Sequence, residues 1–210
     1  PLLPKTIDWT GRGIAGVVGA RLFSAGAFFG AQSFLTLMLV EARGLDAVIT
    51  GVTLTVGSVG WMAGALLQTQ SWLRWRRDQM IVVGVTGITV GVAVLAVAAW
   101  FPQSWLGLVM ISWIIAGFGM GLQNPSTSLA VMQLSDDAEL GRNTSSLQVG
   151  ESLGSSLFTG LAGAWFAHFH EIADLSFTFG GLMVGMVFVG LIAVLVANRI
   201  GPVPTGVGED

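Results

Sequence analysis

The chain has 210 residues, of which 53% are hydrophobic and 10% are charged, about half the charged fraction of a typical soluble domain. This composition excludes an ordinary water-soluble enzyme and indicates an integral membrane protein. Nine Lys and Arg residues against twelve Asp and Glu residues give a net charge of -3, so no excess of positive charge exists to bind nucleic-acid phosphates. Because the chain has no cysteine, disulfides, a thiolate nucleophile and Cys-ligated metals are excluded as well.

Six apolar runs are each long enough to cross the hydrocarbon core of a bilayer, which is about 30 Å thick. They predict six transmembrane helices, near 14–40, 47–69, 80–101, 105–131, 145–168 and 177–197. The runs are continuously apolar and do not alternate as the strands of a membrane barrel do. We therefore predict an all-α membrane protein with a cytoplasmic lead-in or linker at 1–13, a six-helix transmembrane domain at 14–198 and a disordered cytoplasmic tail at 199–210.

The lysines and arginines are distributed unequally between the two predicted sides of the membrane. Short loops rich in these residues stay in the cytoplasm. The residues on the predicted inner side are Lys5, Arg12, Arg74, Arg76, Arg77, Arg142 and Arg199. The predicted outer side carries Arg43 together with several acidic residues. We therefore predict that both termini are cytoplasmic.

The first and fourth predicted helices share a sequence pattern. Residues 25–32 and 116–123 both read A-G-x-x-x-G-x-Q. The two copies are three helices apart, so the pattern runs outward in one helix and inward in the other. This arrangement is typical of the inverted repeats of transporters and predicts a 3+3 inverted repeat. Chance recurrence in a chain with 30 glycines is the alternative.

Glycines recur at helical spacing in several predicted helices. Gly57, Gly60 and Gly64 share one side of the second helix, and Gly150 and Gly154 share one side of the fifth. In lipid, small residues allow helix backbones to approach each other closely. We interpret these glycines as packing surfaces rather than as a functional site.

Polar side chains are concentrated in the first, fourth and fifth predicted helices, whereas the third and sixth are almost wholly apolar and can face lipid. A polar group that faces hydrocarbon costs on the order of one to several kcal/mol, so we expect these groups to face inward, toward water or partners. They are Arg21, Gln32, Gln123, Asn124, Gln148 and Glu151. Steps of three and four residues also place a polar stripe on the fifth helix: Thr144, Gln148, Glu151, Ser155 and Thr159.

The loop after the second predicted helix is similar to a known transporter loop. Residues 64–69 read G-A-L-L-Q-T, beginning at Gly64, and are followed by Arg74, Arg76 and Arg77. This segment resembles the G-x-L-x-D-R-x-G-R-R loop of the major facilitator superfamily. It departs from that loop at Gln68 and at residue 69, which replace an acidic and a basic residue.

A longer stretch resembles the same family. Residues 117–125 and then 141–163, with Arg142 at the turn before the fifth helix, are similar to the fourth and fifth helices of a half of such a transporter. Over nearly its whole length the chain resembles the C-terminal six-helix half of a major facilitator superfamily transporter. Within the family it is most similar to the bacterial multidrug-efflux branch.

The resemblance implies half of a major facilitator fold, which works by alternating access against a second half. It implies a multi-pass antiporter of the bacterial cytoplasmic (inner) membrane that couples protons to the efflux of a small amphiphilic or drug-like solute. The expected partners are the substrate and protons, the lipid bilayer, and the missing N-terminal half or a second copy of the chain. No cofactor, enzymatic activity or nucleic-acid partner is expected. A non-transporting membrane scaffold or assembly subunit stays open as the alternative.

Particular side chains are candidates for these roles. Glu151 and Arg21 are candidates for proton coupling, because a carboxyl group inside a membrane helix can take up and release a proton. The alternatives are a structural pair between the two residues, or an Arg21 side chain that reaches lipid phosphates. The candidates for substrate binding are aromatic and amide side chains: Phe28, Gln32, Trp113, Gln123, Asn124 and Gln148. For these residues, core packing and hydrogen bonds between helices are the alternatives.

A short H-x-H-E cluster, His168, His170 and Glu171, lies at the outer end of the fifth predicted helix. Two histidines that are two residues apart point away from each other on a helix. A zinc site usually needs three or four protein ligands. We therefore predict no metal site.

Overall fold

The computed structural model describes residues 12–70 and 72–203. Within these ranges the chain forms six long α-helices and no strand. The helices are α1 (Gly13–Glu41), α2 (Ala47–Leu67), α3 (Arg77–Trp100), α4 (Leu106–Leu134), α5 (Leu140–Phe169) and α6 (Leu175–Ala197). Each predicted span corresponds to one helix, and the all-α prediction is confirmed. The largest difference is at the start of α5, which begins at Leu140 and not near 145.

Five of the six helices are long and apolar enough to cross a membrane, as judged by length and composition. The exception is α5, although it is the longest helix with 30 residues. The polar stripe from Thr144 to Thr159 lowers its hydropathy. Because such a stripe is costly against hydrocarbon, α5 must present it to water or to another polypeptide.

Local signals explain where several helices begin and end. The Asp46 carboxylate accepts a hydrogen bond from the backbone N–H of Ile49 at 2.8 Å, and Asp174 accepts one from Phe177 at 2.6 Å. Aspartate at this position satisfies an otherwise unpaired N–H at the start of a helix. Gly44 follows the end of α1 with a φ of +64°, a backbone conformation that favours glycine. Gly44 and Asp46 thus define the tight turn between α1 and α2, and Asp174 marks the start of α6.

The helices pack in two groups. α1 packs along α5 and α6, whereas α4 packs along α2 and α3, and the two groups meet where α3 contacts α6 and α1 contacts α4. No close contact joins α2 and α5 in the described ranges. These two helices therefore lie at the edges of the bundle, and much of their surface is exposed.

α3 and α6 each have a buried face and an exposed apolar face. The buried faces contribute Ile88, Leu95 and Phe179, which are fully enclosed, to the main core. The exposed faces carry large apolar side chains: Val83, Val90 and Val97 on α3, and Val184, Phe188, Leu191 and Leu195 on α6. The expectation that α3 and α6 can face lipid stays a prediction, and only the exposed face of each helix is free to meet it.

Arg43 joins two loops at one end of the bundle, which we call the Arg43 end. Its guanidinium donates hydrogen bonds of 2.8 Å to the Ser104 carbonyl, the Ser104 hydroxyl and the Ala98 carbonyl. Ala98 lies in the last turn of α3, where carbonyl groups lack partners within the helix, so Arg43 caps α3. Burial lowers the pKa of Arg43 from its ordinary value. Sequence reasoning had assigned this residue only a charge on the outer side.

The opposite end, which we call the Arg12 end, contains the start of α1 and the end of the described chain at Val203. The N–H of Gly13 donates to the Ile200 carbonyl at 3.0 Å, and the N–H of Val203 donates to Asp78 Oδ1 at 3.0 Å. Ile200 and Val203 are buried. Residues 199–203, predicted to begin a disordered tail, therefore pack against the bundle. The rest of that tail, and all but two residues of the predicted lead-in 1–13, lie outside the described residues.

The backbones of α1 and α5 are in direct contact at Gly154. A Cβ atom built on Gly154 would lie 1.9 Å from the carbonyl oxygen of Leu22, far inside the van der Waals limit. Gly160, six residues further along α5, has nothing within 4 Å of a Cβ atom. The packing interpretation therefore holds for Gly154, and Gly160 provides a matched control on the same helix.

We expect Gly154→Ala to lower the free energy of unfolding by roughly 1–3 kcal/mol, because the added methyl group must separate α1 from α5. Gly160→Ala should raise it by up to about 1 kcal/mol through helix propensity. Denaturant titration of the detergent-solubilised protein measures both changes. Equal effects of the two substitutions would contradict the close approach at Gly154.

Candidate functional site: an ion pair beside a break in α4

Arg21 of α1 is almost completely enclosed, with 2% of its surface exposed. Its Nη2 and Nε atoms donate to Glu151 Oε2 of α5 at 2.7 and 3.0 Å. The Glu151 side chain is 20% exposed, against 3% for that of Arg21. The structure thus brings together the two residues proposed for proton coupling and pairs them, as the structural alternative also predicted.

The other side of the Arg21 guanidinium is bound by α4. Its Nη1 atom donates to the Asn124 carbonyl at 2.6 Å and to Thr127 Oγ1 at 2.5 Å. The Thr127 hydroxyl lies 2.9 Å from the Gln123 carbonyl, to which it donates, and its oxygen can therefore accept from Arg21. One arginine side chain consequently links α1, α4 and α5.

α4 contains an internal proline, Pro125, directly beside this site. Proline has no N–H, so the carbonyl four residues earlier, at Gly121, loses its partner within the helix. Gln68, at the end of α2, supplies the missing donor: its Nε2 lies 2.9 Å from the Gly121 oxygen. The Ser126 hydroxyl in turn donates to Gln68 Oε1 at 3.2 Å. Sequence reasoning recorded Gln68 as a departure from the family loop and missed this contact. The signal for it was Pro125 inside an apolar span.

An open groove of about 710 Å³ runs along α5 beside the ion pair. Its lining is mostly hydroxyl-bearing: Phe29, Glu151, Ser152, Ser155, Ser156, Thr159 and Gly160. Three members of the predicted polar stripe, Glu151, Ser155 and Thr159, therefore share one surface, as their spacing predicted. Glu151 connects the groove to the buried guanidinium.

The predicted aromatic candidates do not line this groove. Phe28 and Trp113 are 3% and 2% exposed and stack on each other, with ring centroids 4.8 Å apart and an interplanar angle of 15°. The edge of Trp61 packs against Phe28 at 5.8 Å. All three rings belong to the main core or pack against it. The arrangement favours the core-packing alternative for these residues.

The four predicted amide side chains are not gathered into one site. Gln148 is exposed on α5, and Gln32 is half-buried on α1. Gln123 is completely buried, with its Nε2 3.2 Å from Met120 Sδ and its Oε1 without a hydrogen-bond partner in the described part of the chain. Asn124 contributes its backbone carbonyl to Arg21. The expectation that polar groups face inward, toward water or partners, fits the buried Gln123 and Arg21, whereas for Gln148, which lies on the exposed polar stripe of α5, it stays a prediction.

The predicted cytoplasmic-loop motif is separate from the ion pair. Gly64 is buried where α2 packs on α4, and Arg74 is exposed. Arg76 pairs with Asp78, the Nη2–Oδ2 distance being 2.6 Å, and the hydrogen bond with this carboxylate raises the pKa of Arg76. Arg77 is half-buried, and its Nη1 lies 3.6 Å from a methionine sulfur. Arg76 and Arg77 thus contact side chains of the first turn of α3, and among the described contacts none of the four motif residues reaches Glu151.

The H-x-H-E cluster shows one weak ion pair. His170 Nδ1 lies 3.8 Å from Glu41 Oε2, which joins the ends of α5 and α1. Across residues 12–70 and 72–203, no three His, Cys, Asp or Glu side chains are placed to hold a metal ion. The structure thus adds no support for a metal site in this region.

Six helices, five of them apolar enough to cross a membrane, define a multi-pass helical membrane protein. The sequence profile of the Major Facilitator Superfamily matches residues 17–208, and the chain belongs to this superfamily. Members of the family are transporters rather than enzymes, and the scaffold alternative is not favoured. No curated protein matches the chain in a sequence comparison.

Proposed function

We propose that the chain is the C-terminal half of a proton-coupled antiporter of the bacterial cytoplasmic (inner) membrane, which exports a small amphiphilic, drug-like solute by alternating access. The observation that carries this proposal is the position of Glu151. One side of its carboxylate binds a buried guanidinium, and the other borders an open polar groove. A carboxylate in this position can exchange a proton with the groove and transmit the change to the helices.

The ion pair offers a physical route from protonation to movement. Protonating Glu151 removes the negative charge that balances Arg21, and a buried pair is stable only while both charges are present. Arg21 stays attached to α4 through the Asn124 carbonyl and Thr127. The contact that weakens is therefore the one between α1 and α5. Protonation would shift the balance between two arrangements of these helices.

The surface of α5 fits a substrate with polar and apolar parts. Serine and threonine hydroxyls line the groove, together with the ring of Phe29. A solute that combines a polar group with an apolar body would contact both the hydroxyls and Phe29 in this groove.

A second six-helix unit would cover the exposed faces of α2 and α5. This unit is either the N-terminal half or a second copy of the chain, and the groove would then lie between the two units. The pairing of the helices supports a 3+3 inverted repeat, since α1 packs on α5 and α6 just as α4 packs on α2 and α3. The arginines at the Arg12 end support a cytoplasmic location for that end.

The proposal predicts exchange of protons for an amphiphilic cation. In proteoliposomes that contain the full-length protein and an acidic interior, external ethidium should enter while an internal pH dye records loss of protons. Collapsing the proton gradient beforehand with a protonophore should abolish ethidium uptake and the ethidium-dependent loss of protons, and protein-free vesicles should show neither signal. Ethidium uptake that persists with the protonophore would contradict proton coupling. Absence of uptake for a panel of amphiphilic dyes would contradict the proposed substrate class.

A further inference from the structure

Two carbonyl groups of α4 beside Pro125 are bound by side chains from other helices. Gln68 of α2 binds the Gly121 carbonyl, and Arg21 of α1 binds the Asn124 carbonyl. These carbonyls are three residues apart, or about 4.5 Å along the helix axis, and lie on neighbouring positions of one face. The single turn of α4 that contains Pro125 therefore connects the end of α2 to the Arg21–Glu151 ion pair.

The Gln68 contact depends on two features of α4. The proline both frees the Gly121 carbonyl and pushes it away from the normal helical path. Gly121 has no side chain, and a Cβ atom there would lie 2.1 Å from the backbone oxygen of Trp61 in α2. The two backbones are thus close enough for Gln68 to reach this carbonyl and accept from Ser126 at once.

We propose that Gln68 is a positioning residue that couples the end of α2 to the Arg21–Glu151 pair. By holding the Gly121 carbonyl, it keeps the proline-containing turn in the conformation that presents the Asn124 carbonyl and Thr127 to Arg21. When α2 moves away, the turn relaxes and the ion pair loosens. When the ion pair opens, the hold on α2 weakens in turn, because coupling between two sites is reciprocal. The mechanistic meaning of this coupling rests on the proposed transport function, but the coupling itself does not.

The experiment is a double-mutant cycle between Gln68 and Pro125. Gln68→Leu keeps the approximate size of the side chain and removes its hydrogen bonds. Pro125→Ala restores an N–H that can bond the Gly121 carbonyl within α4, which makes the Gln68 donor redundant. Gln70→Leu is the matched control, since Gln70 is exposed and its Nε2 bonds only to Leu66 of its own turn among the described contacts.

The readout is the alkylation rate of a cysteine introduced at Ser155 in the groove, a unique thiol in this chain because the chain has none. The reagent is a membrane-impermeant maleimide. The protein is the full-length protein with no other cysteine. We expect Gln68→Leu to raise the rate about fivefold to tenfold, the change in an equilibrium that corresponds to one hydrogen bond. In the Pro125→Ala background the same substitution should change the rate less than twofold, as should Gln70→Leu in the parent protein.

The proposal would be overturned if Gln68→Leu changed the alkylation rate equally in both backgrounds, or if Gln70→Leu changed it as much as Gln68→Leu does. If Gln68→Leu alone prevents folding, recovery of folded protein with Pro125→Ala supports the proposal and continued failure overturns it. Transport of ethidium and protons is measured on the same variants. If Gln68→Leu changes the alkylation rate only in the protein that keeps Pro125, but proton-coupled transport is absent, the proposed function alone is rejected. If proton-coupled transport is present but Gln68→Leu has the same effect in both backgrounds, the role of Gln68 alone is rejected.

Discussion

We expect Glu151→Gln to abolish proton-coupled exchange while the protein remains folded. The amide has nearly the shape of the carboxyl group, and its oxygen can still accept hydrogen bonds from Arg21. It cannot take up or release a proton, so the step that links the groove to the α1–α5 contact is lost. Proton release and its dependence on pH should therefore both disappear in the vesicle assay.

The matched control for this substitution is Glu139→Gln. Glu139 also belongs to the α5 region and also pairs with an arginine, Arg142, but its side chain is 47% exposed at the Arg12 end. Exposed pairs contribute about 0–1 kcal/mol, so this variant should exchange protons at the parent rate. Gel filtration and circular dichroism check that both variants are folded. Unchanged, pH-dependent exchange by the Glu151 variant would rule out its proton role.

Replacing Arg21 with Met should produce the largest loss of stability. Met fills a similar apolar volume but leaves the Glu151 carboxylate, the Asn124 carbonyl and the Thr127 hydroxyl oxygen without their donor. Removing one partner of a buried pair costs about 3–5 kcal/mol. We expect about 3 kcal/mol, because the Glu151 side chain is 20% exposed and water in the groove can hydrate it.

Two further variants separate the ion pair from general effects of removing an arginine. Arg142→Met breaks the exposed pair with Glu139 and should cost no more than about 1 kcal/mol. Adding Glu151→Leu to Arg21→Met removes the unpaired charge and should recover part of the lost stability. Denaturant titration in detergent gives all three free energies of unfolding. An Arg21 variant no less stable than the Arg142 variant would show that the buried pair does not stabilise the bundle.

The role of α5 shows what could be predicted from spacing and what could not. The steps of three and four residues correctly placed Glu151, Ser155 and Thr159 on one surface, because helical geometry depends only on local sequence. Spacing did not show that Gln148, on the same stripe, is exposed. It also did not show that Glu151 borders a groove while its partner Arg21 is buried. Those facts depend on which neighbour each face of α5 meets.

Phe28, Trp113 and Gln68 make the same point about contacts between helices. Side-chain chemistry alone allowed the two rings to line a ligand site, but their helices bring them together in the core. Nothing in residues 64–69 indicates that the Gln68 amide reaches a carbonyl 53 positions later. The proline that frees this carbonyl was visible in the sequence. The residue that would bind it was not.

The amino-acid sequence by itself determined a six-helix membrane protein, the approximate limits of each helix and the face on which polar groups lie. Hydrophobic run length and helical periodicity are local properties, and a bilayer permits few alternatives to a helix for such runs. The tertiary structure alone decided that Arg21 bridges α1, α4 and α5, that Gln68 binds the break at Pro125, and that α2 and α5 remain at the edges. These features depend on the close approach of particular backbones, which is decided when all the helices pack together.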